Sequence, residues 1–439
     1  MTESRVPRSR GLGSRELGSR GLGSRALGPR YWRLWTASTI SALGDGVTIA
    51  ALPLLAASLT KDARLVAGLG TAASIPWLVF SLHAGALVDR FDRRLVLWTM
   101  NVLRGAVTVL IAISVYGHWA RMSLLYCTSL LIGFADVLFN NAAQAIVPAL
   151  VTVENLETAN GWHYSSETVG RQFAGPLIGA FVFAATAGLP FVVDGASFFA
   201  AAALVVSISG QFGPAPRESD AATKSTLRAE IVEGLRWLFA HRLLRTLAIS
   251  LGIFNLATAG TGAVFVLLAR QRLHVGTSGF GVLLAAGAVG AVIGGVAGSR
   301  LTRRIGQGRT LLLAVLASAT ASVGVGLTHS PMVAVVLMGV EGLFGVCWNV
   351  VTVALRQQII PTALFGRVNS AYRLFGLGMM PFGAIAGGFI AHAFAINTPN
   401  FVFGAVILAL AFPVALVATD HAVAQARLEA GQTEPTRPG

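Results

Sequence analysis

Charged residues are scarce in this sequence of 439 residues. Asp, Glu, Lys and Arg together make up 12% of the chain, whereas soluble domains carry about 25%. Hydrophobic residues make up 54%, and the mean hydropathy is +0.69. A chain with so few charges cannot cover a water-facing surface, so the composition excludes a soluble globular domain and indicates an integral membrane protein.

Cysteine and lysine are also rare. The only cysteines, Cys127 and Cys347, lie inside apolar segments, so no disulfide framework is expected. The sequence has no Walker lysine motif, no metal-ligand spacing among its histidines and no nucleophile motif, so we expect neither an ATP site, nor a cofactor, nor a metal, nor an enzyme. The net charge of +14 comes almost wholly from arginine, because Lys61 and Lys224 are the only lysines.

Long apolar segments account for most of the chain. Each is close to the ~20 residues that an α-helix needs to cross a bilayer. The sequence therefore predicts twelve transmembrane helices. Their predicted spans are 34–58, 65–88, 95–116, 122–149, 164–186, 189–209, 246–269, 278–299, 309–328, 332–354, 368–392 and 399–419.

Arginine is concentrated in every second connection between these segments. This asymmetry predicts that the arginine-rich connections and both termini are cytoplasmic. It also explains the positive net charge better than nucleic-acid binding does. The abundance of Ala, Gly and Arg suggests a bacterium, so we expect a multi-pass protein of the bacterial cell membrane. The few basic residues predicted outside are Lys61, Arg64, Arg121, Arg270 and Arg272.

The chain divides into two similar halves. Gly298–Arg304 echoes the charged loop near residue 90, and each half holds six apolar segments, which is the signal of an internal repeat. In the linker, Leu227, Ile231, Leu235 and Leu238 share one helical face, which predicts an amphipathic helix on the cytoplasmic surface. The predicted units are a disordered basic tail with a pentapeptide repeat (1–33), an N-terminal bundle (34–209), the linker (210–245), a C-terminal bundle (246–419) and a cytoplasmic tail (420–439).

A charged motif lies between the second and third segments. It reads Gly85-x-x-x-Asp89-Arg90-x-x-Arg93-Arg94 and resembles the loop 2–3 motif of the major facilitator superfamily. At the position of Asp92, that superfamily usually has Gly. An aspartate at this position resembles the drug and siderophore exporters of the superfamily, including enterobactin exporters and macrolide efflux proteins. Asp89 is expected either to lie against a helix N-terminus or to pair with an arginine. The resemblance implies an all-α membrane protein whose twelve transmembrane helices form two pseudo-symmetric six-helix bundles facing one cavity.

Several charged residues lie deep inside apolar segments. A charge at mid-bilayer costs roughly 2.5–3.5 kcal/mol even on lenient scales, so such residues are candidates for proton coupling or substrate binding. The resemblance implies that the first, fourth and tenth segments line the cavity. The alternative is that these charges only pair and fasten helices, with Arg104, Glu167 and Arg171 as possible partners. The candidates are Asp45, Asp136, Asn140, Asn141 and Glu341.

The fifth segment carries a small-residue motif formed by Gly170, Gly175, Pro176 and Gly179. It resembles the core of the superfamily's antiporter motif, although the Gly170 spacing is one residue longer than usual and Ala180 replaces the last Gly. The resemblance implies a gate that prevents leakage and favours export. The alternative is ordinary close packing between helices.

These observations together predict proton-coupled efflux of an amphipathic small molecule, such as a drug, secondary metabolite or siderophore. The expected partners are that small molecule, protons and the lipid bilayer, without nucleic acid, and the expected state is a monomer. Two alternatives stay open. One is an uptake symporter of the same fold, and the other is a non-transporting membrane sensor or scaffold.

Overall fold

A computed structural model describes residues 27–88, 90–210, 212–213, 227–361 and 364–433. These residues are helical almost throughout and contain no β-strand. A 3₁₀ turn covers Val153–Asn155 and a π-helical turn covers Thr168–Ala174. The α-helices are α1 (Gly28–Leu59), α2 (Ala63–Val88), α3 (Arg93–Tyr116), α4 (Met122–Leu150), α5 (Leu156–Glu167), α6 (Gly175–Ala185), α7 (Leu189–Val206), α8 (Leu227–Ala240), α9 (Arg242–Gln271), α10 (Thr277–Ile305), α11 (Gln307–Leu327), α12 (Pro331–Ile359), α13 (Phe365–Gly378), α14 (Met380–Ala393), α15 (Thr398–Ala409), α16 (Ala411–Val417) and α17 (Asp420–Thr433).

Eleven helical stretches within the described residues are long and apolar enough to cross a membrane. The predicted all-α membrane fold is thereby confirmed. The fifth predicted segment, 164–186, is covered by α5, the π-helical turn and α6, which follow one another without a break. The π-helical turn has i→i+5 hydrogen bonds and accommodates one extra residue within a helix.

The N-terminal boundary also differs from the prediction. The basic tail was expected to run to residue 33, but α1 already begins at Gly28, with Pro29 in its first turn, where proline is favoured. Tyr31 is buried, and its hydroxyl donates a hydrogen bond to the carbonyl of Ala159. The first turns of α1 therefore pack on α5 instead of belonging to the tail, of which residues 1–26 lie outside the described residues.

The linker contains the predicted helix as α8. Leu238 is buried and Leu235 packs against the same apolar cluster as α13 and the start of α9. Glu233 pairs with Arg367 at 2.8 Å, and a Cβ on Gly234 would lie 2.6 Å from the Arg367 carbonyl oxygen. The described apolar residues of α8 thus pack on α13, and the position of this helix on the cytoplasmic surface stays a prediction.

The helices pack as two bundles. In the first, α1 contacts α6 and α7, α2 contacts α4, and α3 contacts α4 and α7; in the second, α10 and α11 contact α12, and α9 contacts α14. The bundles meet along α2 with α14 and α6 with α10. We call the end with residues 59–63 and 393–398 the arginine-poor end, and the end with residues 88–93 and 360–364 the arginine-rich end.

Close approach between the bundles occurs toward the arginine-poor end. A Cβ on Gly388 of α14 would lie 2.6 Å from the Cβ of Ala67 in α2, and one on Gly281 of α10 would lie 2.5 Å from the Cβ of Ala180 in α6. A cavity of about 1110 Å³ lies between the bundles, and the exposed residues Gln357 and Arg373 line it at the arginine-rich end. The bundles are therefore closed together at one end around a cavity that reaches the other.

Candidate functional site

Asp45 lies in the middle of α1, between two glycines that allow neighbouring helices to come very close. A Cβ on Gly46 would lie 2.6 Å from the Gly170 carbonyl oxygen, and one on Gly44 would collide with Ser197 of α7. Since no side chain larger than hydrogen fits at either position without a shift, Asp45 is held where α1 meets both the π-helical turn and α7.

Four charged side chains form one ion network in the first bundle. Arg104 of α3 lies 2.7 Å from Asp136 of α4 and 3.5 Å from Asp45. Arg171 of the π-helical turn lies 3.7 Å from Asp45 and 3.5 Å from Asp136. Each carboxylate thus faces both guanidinium groups. Burying charges is costly unless they are paired in this way. The positive and negative charges of the network compensate one another and so join four helical elements.

The two arginines differ in their surroundings. The side chain of Arg104 is 1% exposed, whereas that of Arg171 is 30% exposed. Arg104 donates a hydrogen bond to Asn101, and its guanidinium carbon lies 4.3 Å and 4.4 Å from the ring centres of Phe139 and Phe198. Arg104 is therefore fixed by charge, hydrogen bonding and cation–π contacts, and Arg171 is the member that water reaches more easily.

The structure brings Arg104 and Arg171 to the predicted carboxylates, but it does not pair Glu167 with Arg171. Two residues four positions apart face each other on an α-helix, but the π-helical turn between Thr168 and Ala174 replaces that geometry. Arg171 reaches Asp45 and Asp136 instead. Glu167 still lines a small polar pocket beside Asp45 and Arg104.

The side chains of Asn140 and Asn141 form hydrogen bonds within their own helix, α4. The side-chain amides donate to the carbonyls of Asp136 and Val137, each one turn earlier in α4, at 2.8 Å and 2.7 Å. Asn140 lines the same small pocket as Asp45. Of these two candidates, the structure therefore places Asn140 beside the ion network.

The glycine motif of the fifth segment packs against α1. A Cβ on Gly170 would lie 3.1 Å from the Leu43 nitrogen, and one on Gly175 would lie 2.5 Å from the Gly46 Cα. A Cβ on Gly179 would overlap the carbonyl of Val47. The π-helical turn keeps Gly170 and Gly175 on one face despite the extra residue between them, which explains the departure from the usual spacing. Pro176 lies in the first turn of α6.

The loop motif lies at the arginine-rich end. Gly85 belongs to the last turn of α2, and Asp89 lies outside the described residues, so its role stays a prediction. Arg90 is exposed, and the backbone N–H of Arg93 donates to Phe212. Arg94 donates to the Ile208 carbonyl, just after α7, at 2.7 Å.

Asp92 accounts for the departure of this motif from the superfamily pattern. Its carboxylate accepts from the backbone N–H groups of Arg94 and Leu95, as an N-cap of α3, and from that of Phe212 beyond α7. An aspartate there satisfies donors that a glycine would leave open. The contact with a helix N-terminus that was considered for Asp89 is thus made by Asp92.

Asp194 is the functional candidate that sequence reasoning missed. It lies in α7, is 1% exposed, and accepts hydrogen bonds from the hydroxyls of Thr48 and Ser197. Within the described part of the chain, no Lys, Arg or His lies within ion-pair distance of it. The sequence did contain a feature that could have identified it, because Asp194 is an ionisable residue inside an apolar segment, as Asp45 is.

Glu341 lies apart from this network, in α12 of the second bundle, where it lines the central cavity.

An all-helical protein with two bundles, a cavity between them and charges buried in membrane-length helices has the architecture of a multi-pass membrane transporter.

Comparison with known proteins defines the family. Residues 29–435 match the profile described as transmembrane secretion effector. The multidrug efflux pump Tap of Mycolicibacterium fortuitum is 28% identical over 87% of this chain and 92% of its own. The enterobactin exporter EntS of Shigella boydii serotype 4 is 25% identical over 78% and 81%. The chain belongs to the transmembrane secretion effector family of the major facilitator superfamily.

Solved structures agree on the fold. The nucleoside transporter NupG superposes with a TM-score of 0.69 at 11% identity, covering 88% of this chain and 98% of its own. A bacterial homologue of the iron transporter ferroportin, in an inward-facing state, gives 0.68 at 15% identity, covering 88% and 97%. Together with the family match, this makes the protein a membrane transporter and not an enzyme, which argues against the alternative of a non-transporting sensor or scaffold.

Proposed function

We propose that the protein is a secondary active exporter that moves an amphipathic small molecule out of the cell in exchange for protons. The ion network of Asp45, Asp136, Arg104 and Arg171 is the observation that carries this proposal. It joins α1, α3, α4 and the π-helical turn, so a change in its charge alters the attraction between elements of the first bundle.

Proton uptake by Asp45 is the proposed coupling step. A proton on this carboxylate removes one of the two negative charges that hold Arg171, at 3.7 Å, and Arg104, at 3.5 Å. Asp45 belongs to α1 and Arg171 to the π-helical turn, so protonation weakens the attraction between these two elements. Asp136 keeps its 2.7 Å contact with Arg104 and preserves the rest of the bundle.

The direction of transport is proposed from the relatives. Tap is named a multidrug efflux pump and EntS an enterobactin exporter, and both align over most of the chain. We therefore propose export by alternating access, in which the bundles open first at one end and then at the other. We place the protein in the bacterial cell membrane as a monomer, with both termini and the arginine-rich end in the cytoplasm.

Asp45→Asn tests this function because it removes the charge and preserves the shape. Everted membrane vesicles with an imposed pH gradient should accumulate an exported dye in the wild type and fail to do so in the variant, while downhill exchange of the dye continues. Glu157→Gln, which removes an exposed carboxylate from α5, is the matched control. Uphill accumulation by Asp45→Asn at wild-type rates would exclude Asp45 as the coupling site. Uptake into whole cells driven by the pH gradient would instead favour a symporter.

A further inference from the structure

The central cavity belongs mainly to the second bundle. Among the described residues, only Ile49, Pro53 and Gln172 line it from the first bundle, and the other lining residues come from α9 and the helices after it. The ion network lies in the first bundle beside a separate pocket of only about 20 Å³. The space large enough for a small molecule is therefore separate from the proposed proton site.

Among the described residues, Glu341 is the only carboxylate that lines this cavity. The Glu341 side chain forms no ion pair and no hydrogen bond with any of the described residues. The nearest basic residue on the same helix that also lines the cavity is Arg356, fifteen positions later and thus about 22 Å away along the axis. Arg356 is already occupied, because it donates to Asn369 and stacks at 4.1 Å on the ring of Tyr372.

Space and aromatic surface are available around Glu341. Gly345 lies one turn later on the same face of α12, and a Cβ there would meet nothing within 4 Å. The same holds for Gly262 of α9, which also lines the cavity. Two aromatic pairs complete the wall, with ring centres 5.0 Å and 5.8 Å apart. They are Phe254 with Trp348 and Phe265 with Phe280.

We propose that the substrate is an amphipathic organic cation with a single positive charge, and that Glu341 binds that charge within the second bundle. This inference rests on the proposed transport function and adds the substrate class. An unpaired carboxylate at mid-bilayer is costly, and a cation from the ligand supplies the missing partner. The aromatic walls take up its apolar body and also favour positive charge over their ring faces.

The cavity also argues against an anionic substrate. An anion in this space would face the Glu341 carboxylate without a free cation at the same depth among the described residues, because both arginines of the lining, Arg356 and Arg373, lie toward the arginine-rich end and Arg356 is already engaged. A neutral molecule would fill the apolar volume but leave the carboxylate unpaired. Charge compensation therefore distinguishes a cation from a neutral or anionic molecule of the same shape.

Tetraphenylphosphonium and tetraphenylborate provide the test, because they share one shape and carry opposite charges. Isothermal titration calorimetry on the purified full-length protein in detergent should show phosphonium binding at least tenfold tighter than borate binding. Glu341→Gln should weaken phosphonium binding at least tenfold and change binding of the neutral triphenylphosphine oxide less than twofold. Glu341→Asp, which keeps the charge, should retain most of the phosphonium affinity.

Two further variants keep the result interpretable. Gly345→Met fills the open space beside Glu341 and should weaken phosphonium and phosphine oxide alike. Glu233→Gln removes an exposed carboxylate outside the cavity and should change nothing. Equal affinity for cation and anion, or wild-type phosphonium binding by Glu341→Gln, would overturn the inference.

The inference and the proposed function fail separately. Uphill export of neutral or anionic compounds without Glu341-dependent cation binding would leave proton-driven export standing and overturn the substrate class. Glu341-dependent phosphonium binding without proton-driven export of any compound in vesicles would support the binding site and remove the exporter function.

Discussion

The carboxylate of Asp62, in the loop after α1, lies 3.4 Å from Nδ1 of His392 near the end of α14. This contact joins the two bundles at the arginine-poor end. Asp62 also accepts hydrogen bonds from the Arg64 side chain, and this bonding lowers the pKa of Asp62 to about 2. The carboxylate is thus charged in any physiological solution.

The first prediction concerns the pH dependence of this contact. The depressed pKa of Asp62 means that its contribution is present above about pH 4 and is lost only as the pH falls toward 2. The charge of Asp62 is therefore constant at physiological pH, and a substitution that removes this charge should weaken closure. An exposed pair is worth about 0.2–1 kcal/mol, or roughly a 1.4- to 5-fold change in the open population.

A cysteine at Gly70 measures that closure. A Cβ there would lie 3.7 Å from the Cβ of Ala384 across the two bundles, which is an ordinary contact, so Gly70→Cys should fold normally. Its labelling by an impermeant thiol reagent, at a pH well above 4 where the Asp62 carboxylate is charged, should be slower than in the same protein carrying Asp62→Asn. Equal labelling rates with and without Asp62→Asn would show that the contact has no role in gating.

The second prediction concerns the close packing of α1. Gly46→Ala should destabilise the first bundle, because the new Cβ would lie 2.6 Å from the Gly170 carbonyl and 2.8 Å from the Gly175 Cα. Overpacking of this kind typically costs about 1–3 kcal/mol, and the midpoint of thermal unfolding in detergent should fall. Gly262→Ala adds the same methyl group in open space and should leave the midpoint unchanged. Equal midpoints for both variants would contradict the packing argument.

The third prediction concerns Asp92. Asp92→Ala removes the acceptor for three backbone N–H groups at the start of α3 and beyond α7, and loss of an N-cap costs about 0.5–2 kcal/mol. Thermal unfolding should begin at a lower temperature, and proteolysis within residues 207–213 should become faster. Asp92→Asn keeps an acceptor oxygen and should lose less stability. Identical stabilities for the two variants would show that the cap is unimportant.

The fourth prediction concerns orientation in the membrane. In a protein without native cysteines, an impermeant reagent added to whole cells should label Ser330→Cys and not Val153→Cys, because the arginine-rich end is predicted to face the cytoplasm. Val153 is 80% exposed, so lack of labelling there would reflect the barrier and not burial. The opposite pattern would reverse the proposed topology.

Membrane-length helices were predictable because apolar runs of bilayer length have few alternative structures in lipid. The buried position of Asp45 was equally predictable, since the cost of a mid-bilayer charge marks it. Its partners were harder to assign. Arg104, Asp136 and Arg171 lie on three separate elements, and only tertiary packing brings them together.

The π-helical turn could not be predicted from the local sequence. The extra residue between Gly170 and Gly175 looked like a weaker motif match, yet it is accommodated by a change in hydrogen-bonding register that keeps both glycines against α1. The role of Asp92 was also not predictable from the local sequence, because one of its carboxylate oxygens accepts a hydrogen bond from the backbone N–H of Phe212, 120 positions later. No short sequence window contains both partners.

The balance of two arginines and two aspartates also has an electrical consequence. As four ionised groups, the network of Arg104, Arg171, Asp45 and Asp136 is neutral, so its displacement across the membrane moves no net charge through the electric field. One added proton makes it a monocation, and carrying one elementary charge through 100 mV is worth about 2.3 kcal/mol. Each proton that enters through this network therefore gains energy from the membrane voltage, whereas each monovalent cation that leaves loses the same amount, so the voltage adds to the driving force only when more protons enter than positive charges leave.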